Sequence, residues 1–281
     1  SLLCAGAIPE EFIGSFLQRI RVLQKHSIVP VVVFDGADLP SKEQTDRERA
    51  QRRKEAIEND RFGQALDITP AMAHAVIVRL QAEGVECIVA PYEADPQLAH
   101  LCRIGYVDGV ITSDSDLIVH RCPLILFDFD PFQETVREFT PDVLEQVSLF
   151  AGLSHTQFLY GCVLTGCDYC INIRNVGIVK AFAVVRHNKT PEKILHAFLS
   201  RHGGTLPLSE RAAYLKSVRN AILTFNYALV YNPILHATVN LNPLPPNLTD
   251  SVINLLGTRH DDETSTLVAD GTLDPSTLQA F

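Results

Sequence analysis

No apolar run in this 281-residue chain approaches the length of a bilayer-crossing helix, the longest candidate being the stretch around Ile28 to Phe34. The first residues carry no charged leader ahead of an apolar segment, so a soluble, intracellular protein with no membrane partner is expected. A surplus of positive charge is also missing. The formal net charge is −9, which argues against a protein that coats nucleic acid with its whole surface, because phosphate neutralisation needs basic residues. The cysteines are not an even set: Cys4, Cys87, Cys102, Cys122, Cys162, Cys167 and Cys170 mostly sit in apolar segments such as Val85–Ala90, as reduced thiols do. Cys167 and Cys170 form a CxxC without a second pair at zinc-ribbon spacing, so thiols in a structural role are expected there.

What is present is a large apolar fraction, 46%, enough for one large domain or a domain with a smaller appendage. Apolar Phe12, Ile13, Phe16, Leu17, Ile20 and Leu23 recur at three- and four-residue steps from Pro9 to His26, which predicts an amphipathic helix. The β-branched run Ile28–Phe34 follows and predicts a strand buried on both faces. A helix near Pro70–Glu83, a strand Val85–Ala90, a helix Glu93–Cys102 and a strand Val107–Thr112 repeat the unit, which predicts parallel βαβ packing. Leu124–Phe127 and Glu134–Phe139 read as a hairpin closing the sheet edge. Everything beyond Pro141 reads as helical, and from about Asn240 the proline-rich and then acidic sequence predicts a peripheral, partly mobile tail.

Carboxylates stand at three successive strand ends: Asp35 after the first, Glu93 and Asp95 after the second, Asp114 and Asp116 after the third. In an open parallel sheet, side chains just past the carboxyl ends of strands meet in one crevice. Five acids in one mouth would repel one another unless a cation neutralised them, and oxygen-only ligands select hard ions such as Mg²⁺ or Mn²⁺. Taken singly, each acid is better explained as a helix cap; taken together, they favour metal. The spacing of two residues within each pair suits two-metal phosphodiester chemistry. Asp128 and Asp130, which end a strand as a DxD, resemble an aspartyl-phosphatase motif but lack its following residues and fall in the expected edge hairpin. Between Lys42 and Lys54 lie six basic residues. Alone they read as a solvated, salt-bridged helix over Ser41–Asp60, but the segment leaves from Asp35-Gly36 and so stands beside the acids.

In this order, Val33-Phe-Asp-Gly, Leu39-Pro-Ser-Lys, Ala90-Pro-Tyr-Glu-Ala-Asp, Thr112-Ser-Asp-Ser-Asp-Leu and Gly166-Cys-Asp-Tyr resemble the flap endonuclease and Rad2/XPG nucleases. Ala90-Pro-Tyr-Glu-Ala-Asp and Ala71-Met-Ala-His look most like eukaryotic exonuclease 1. The resemblance implies a three-layer α/β fold of the PIN/FEN kind, with a mixed, mostly parallel sheet. It places the nuclease core at 1–140 with a helical arch at 40–68, a helical DNA-binding region with a helix-two-turn-helix near 160–187 within 141–240, and the tail at 241–281. It implies that Asp35, Glu93, Asp95, Asp114, Asp116 and Asp168 bind two Mg²⁺ ions, with Mn²⁺ as a substitute, and that Lys42 and Arg49 on the arch act on the scissile phosphate alongside Asp35, Glu93 and Asp114. Arg52, Arg53, Asn172, Gly177 and Lys180 would hold duplex DNA, with a K⁺ ion at the helix-two-turn-helix. The implied activity is 5′ to 3′ exonuclease and 5′ flap endonuclease hydrolysis on DNA with 5′ ends, nicks, gaps or flaps, by a monomer working in the nucleus with mismatch-repair proteins.

The chain departs from the family at several points. Asn175 stands where relatives have a glycine, and Cys4 where they have a stacking His or Tyr; the arch between Arg53 and Thr69 is short. The expectation is that the family's first strand, with another catalytic aspartate, is missing ahead of Ser1. A competing reading is therefore a truncated or degenerate, catalytically impaired DNA-binding fragment. A remoter one is a PIN-type RNA nuclease.

Overall fold

The computed structural model describes residues 10–59, 61 and 68–281. Helix α1 (Glu10–Lys25) sets Leu17 and Ile20 into the core with Ile13 and Phe16 beside them, as its apolar spacing requires. Strand β1 is only Val31–Phe34. Pro30 ends the extended run on its N-terminal side, Val29 is 88% exposed, and all four strand residues are half-buried. The expectation of a strand covered on both faces is thus corrected. Among the described residues β1 pairs only with β2 (Glu86–Val89), in parallel register from Val31↔Glu86 to Phe34↔Val89, which leaves its other side an edge.

After β1 the chain makes a 3₁₀ turn at Pro40–Lys42 and enters the arch helix α2 (Glu43–Glu58). Almost all of α2 is solvated; Ala56 is its one buried residue. Helix α3 (Pro70–Ala82) starts where the Thr69 side chain accepts the Met72 amide, with proline at its first position, a favourable N-terminus. Helix α4 (Ala94–Arg103), strand β3 (Val110–Ile111), helix α5 (Asp116–Val119) and the antiparallel hairpin of β4 (Ile125–Asp130) and β5 (Thr135–Phe139) complete the first half. The strands pair in separate groups, β1 with β2 and β3–β4–β5. Among the described residues nothing joins them into the single sheet the alternation predicts.

The second half is built on α6 (Val143–Gln146), α7 (His155–Thr165), α8 (Ile178–His187), α9 (Pro191–His202) and α10 (Leu208–Tyr227). A capping box at Ser154 and Gln157 starts α7. Phe158, Leu164, Phe182, Val185, Ile194, Phe198 and Val218 fill the core between these helices. Gly161 lets α8 approach, since a Cβ there would meet the Phe182 ring at 2.6 Å.

Two expectations for this half are corrected. The region is not all helical: β6 (Leu229–Asn232) and β7 (Ala237–Asn240) form an antiparallel hairpin. β6 is buried throughout, and the fully buried Gln97 of α4 bonds both the amide and the carbonyl of Tyr231. The hairpin is therefore tied to the helix that follows Glu93. The segment expected as a tail is folded in as α11 (Asp250–Ile253) and α12 (Asp262–Ala269), with Leu256, Val268 and Ala269 buried. Apolar residues too sparse to signal a helix by periodicity gain their burial from α3, β2 and Tyr231. Among the described residues no helix is long and apolar enough to cross a membrane. Cys4, and residues 60 and 62–67 of the arch segment expected to be short, lie outside the described residues.

Candidate active site

The meeting of the β1 and β2 ends is set by Gly36. A Cβ on it would fall 1.9 Å from the Ala90 carbonyl oxygen, and its amide donates to the Tyr92 carbonyl at 2.6 Å. Only a glycine permits this approach, which brings Asp35 to the start of α4. One oxygen of Asp35 accepts the Ala94 amide at 2.7 Å, and Asp114 accepts the Asp116 amide at 2.9 Å at the start of α5. The capping role weighed for single acids is thus real for these two. It also orients them, because positive helix ends favour carboxylates.

The acids face one another. Burial pushes the Asp95 carboxyl up to about 7, with Asp114, Asp116, Asp35 and Glu93 adding repulsion. Asp116 is pushed up to about 6 by burial and by Asp114, with Asp168 contributing. Glu93 is also raised: burial, with Asp35 and Asp46, outweighs its pairing with Lys42. The structure therefore brings Asp35, Glu93, Asp95, Asp114, Asp116 and Asp168 within electrostatic reach of one another.

Lys42 and Arg49 come to the same place from the arch. The Lys42 ammonium lies 2.9 Å from Glu93 and 3.2 Å from Asp168, and the Arg49 guanidinium 2.6 Å from Asp168. Burial opposes the charge on Lys42, yet the two carboxylates hold its pKa above the usual value. Arg52 instead points out, 78% exposed and paired along the helix with Glu48. Arg53 lines the cavity beneath the arch.

That cavity, about 880 Å³, is lined by Asp35, Lys42, Arg49 and Glu93 together with Phe34, His74 and Phe281. Asp128 and Asp130 lie away from it: Asp128 pairs with Arg137 across the hairpin and Asp130 caps the turn through the Phe132 and Gln133 amides.

The donors are all carboxylate oxygens and carry more charge than Lys42 and Arg49 can offset, so the residues fit hard divalent ions. Among the described residues no three acids already stand as a ligating group. Residues the sequence reading passed over also belong here. Thr45 donates its hydroxyl to the Asp168 carbonyl, and Asp46 on the same helix sits among Lys42, Arg49 and Asp168. Helical spacing from Lys42 and Arg49 places both on the inner face of the arch, which was the one available signal.

The helix-turn segment around Asp168 is formed by α7, the loop that carries Asp168, and α8. Asn172, Gly177 and Lys180 are exposed. Asn175 has φ +64, in the left-handed region glycine enters freely and asparagine tolerates best among other residues. Its carbonyl accepts the Lys180 ammonium at 2.7 Å.

Comparison with known proteins matches residues 5–56 to the XPG N-terminal domain and residues 84–168 to the XPG I-region. The chain belongs to the Rad2/XPG nuclease family. It is 33% identical to Exonuclease 1 of Arabidopsis thaliana and 30% identical to Exonuclease 1 of Danio rerio, in each case over 99% of this chain. It spans only 39% and 36% of those relatives. The catalytic core of Rad2 in complex with DNA substrate superposes with a TM-score of 0.57 at 24% identity, covering 93% of this chain and 85% of that one. The three-layer α/β fold of the PIN/FEN kind is therefore the fold of this Rad2/XPG family member.

Proposed function

We propose that the chain hydrolyses DNA phosphodiesters, as a 5′ to 3′ exonuclease on duplex ends, nicks and gaps and as a 5′ flap endonuclease. The observation that carries this reading is the convergence of six carboxylates from separate strand and helix ends beneath the two arch cations. Similarity to Exonuclease 1 along nearly the whole chain supports it. When bound, a pair of divalent ions, Mg²⁺ or Mn²⁺, would supply an activated water and neutralise charge on the leaving oxygen.

The protein residues do the rest. Asp35, Asp95, Asp114, Asp116, Glu93 and Asp168 would hold the ions, with Asp35 and Asp114 oriented by the helix-start amides they accept. Lys42 and Arg49 grip the scissile phosphate and stabilise the charge that grows on it. Arg52 and Arg53 extend the basic face along the entering strand. Gly177 and Lys180, at the exposed start of α8, and Asn172 in the loop before it hold the duplex backbone with a K⁺ ion, since a helix N-terminus presents free amides to phosphate. Nuclear DNA repair with mismatch-repair proteins, acting as a monomer, fits this chemistry.

The reading of a degenerate DNA-binding fragment is disfavoured: all six acids are present, and the fold gathers them. Replacing Asp114 with Ala in the full-length protein is expected to lower cleavage of a 5′-labelled duplex in Mg²⁺ by more than about 10²-fold, the scale of losing several kcal/mol of charge stabilisation. Undiminished cutting would sink the assignment. Equal cutting of RNA and DNA duplexes would favour the RNA nuclease instead.

A further inference from the structure

The arch cations line the cavity, but they are paired there with the protein's own acids. Lys42 bridges Glu93 and Asp168, Arg49 binds the same Asp168 oxygen, and the Thr45 hydroxyl holds the Asp168 carbonyl. The first turns of α2 are thereby clasped to β2's end and to the loop after α7. Lys42 and Glu93 are only 11% and 20% exposed, so their pairing is little screened, whereas Arg49 and Asp168 are 47% and 38% exposed and interact more weakly. The base of the arch is fixed separately, by the Thr224 hydroxyl donating to Ser41 at 3.1 Å, so loss of the clasp would leave an anchor.

We propose that Lys42 and Arg49 act as internal counter-cations, competing with divalent metal for Glu93 and Asp168, so that metal loading releases the arch and frees both side chains for phosphate. The inference rests on the reading above that these acids hold divalent ions. One carboxylate oxygen cannot serve an ammonium and a metal equally well, and a dication among the acids repels both side chains. Coupling is reciprocal: what the ion gives up in displacing Lys42, Lys42 gives up to the ion. The Thr45 hydrogen bond to the Asp168 carbonyl belongs to the same clasp and opens with it.

The test is Mn²⁺ binding to the full-length protein without DNA, followed by calorimetry or by the loss of the free-ion electron paramagnetic resonance signal. Lys42→Ala and Lys42→Gln, the second keeping length and hydrogen-bonding reach, are expected to bind Mn²⁺ about fivefold or more tightly than wild type. Arg49→Gln should show the same direction with a smaller change. In parallel, Mn²⁺ should speed tryptic cutting at Arg47 and Arg52 in wild type but not in Lys42→Gln, whose arch is already released. Unchanged or weaker Mn²⁺ binding in both Lys42 variants would overturn the inference, by showing that Lys42 arranges the acids instead of competing for them. Failure of wild type to bind Mn²⁺ at all would overturn the underlying metal reading as well, a result readily told apart from the first.

Discussion

At the scale of single residues, the acids work against stability until they meet a cation. Asp95 has a folded pKa of about 7 against about 3.9 for an unperturbed aspartate. The folded chain therefore binds this proton more tightly than the unfolded chain. Its stability without metal rises as pH falls from above 7 toward 4, and the ionised carboxylate is a burden at higher pH. Asp95→Asn imitates the protonated acid. In chelator at pH 8 the variant is expected to melt a few degrees above wild type, and its melting point should respond less to acidification. Added Mg²⁺ should stabilise wild type more than the variant. A variant that melts lower at pH 8 and gains equally from Mg²⁺ would show that Asp95 is a structural cap alone. Asp35, Glu93, Asp95, Asp114 and Asp116 were legible in the sequence because each stands next to a strand end. Asp168 was reachable only by resemblance, since it follows a helix and no strand rule points to it.

Individual elements show where local signals suffice and where they fail. The spacing of α1, the Thr69-Pro70 start of α3 and the Ser154–Gln157 box of α7 are written locally, and the structure has all three. β1 came out shorter and less covered than its β-branched run suggests, because burial depends on neighbours and one edge has none among the described residues. The turn into α8 gives an element-scale prediction. Asn175 sits at φ +64, so Asn175→Gly should leave stability within about 1 kcal/mol, while Asn175→Val should cost about 1–3 kcal/mol from forcing a β-branched residue into the left-handed region. Denaturant midpoints measure both. If the loop's backbone also grips phosphate, Asn175→Val should weaken duplex affinity more than Asn175→Gly. Equal stability of the two variants would show that the turn relaxes into another conformation.

Across the whole molecule, the C-terminal segment is part of the nuclease core and not an appendage. The Tyr92 hydroxyl, one residue before Glu93, accepts the Thr258 amide at 2.6 Å. Gly257 is packed so closely that a Cβ would meet the Tyr92 ring at 2.1 Å, and the Gln81 side chain donates to the Asp270 carbonyl. Removing residues 250–281 would uncover α3, β2 and Tyr231 together. It is expected to abolish cooperative unfolding and to raise dye binding to exposed apolar surface, as judged by calorimetry and fluorescence. A truncated chain that melts cooperatively near the wild-type temperature would contradict this packing.

The sequence by itself determined the kinds of elements and the chemistry of the mouth, because periodicity, caps and acids at strand ends are local and act through neighbours a few positions away. Only the tertiary structure decided that Lys42, Thr45 and Arg49 clasp Asp168, that Gln97 holds the β6 hairpin and that the acidic end of the chain closes the core. Those contacts join residues more than a hundred positions apart, and such pairings are set by which surfaces can be buried together, which no local pattern encodes.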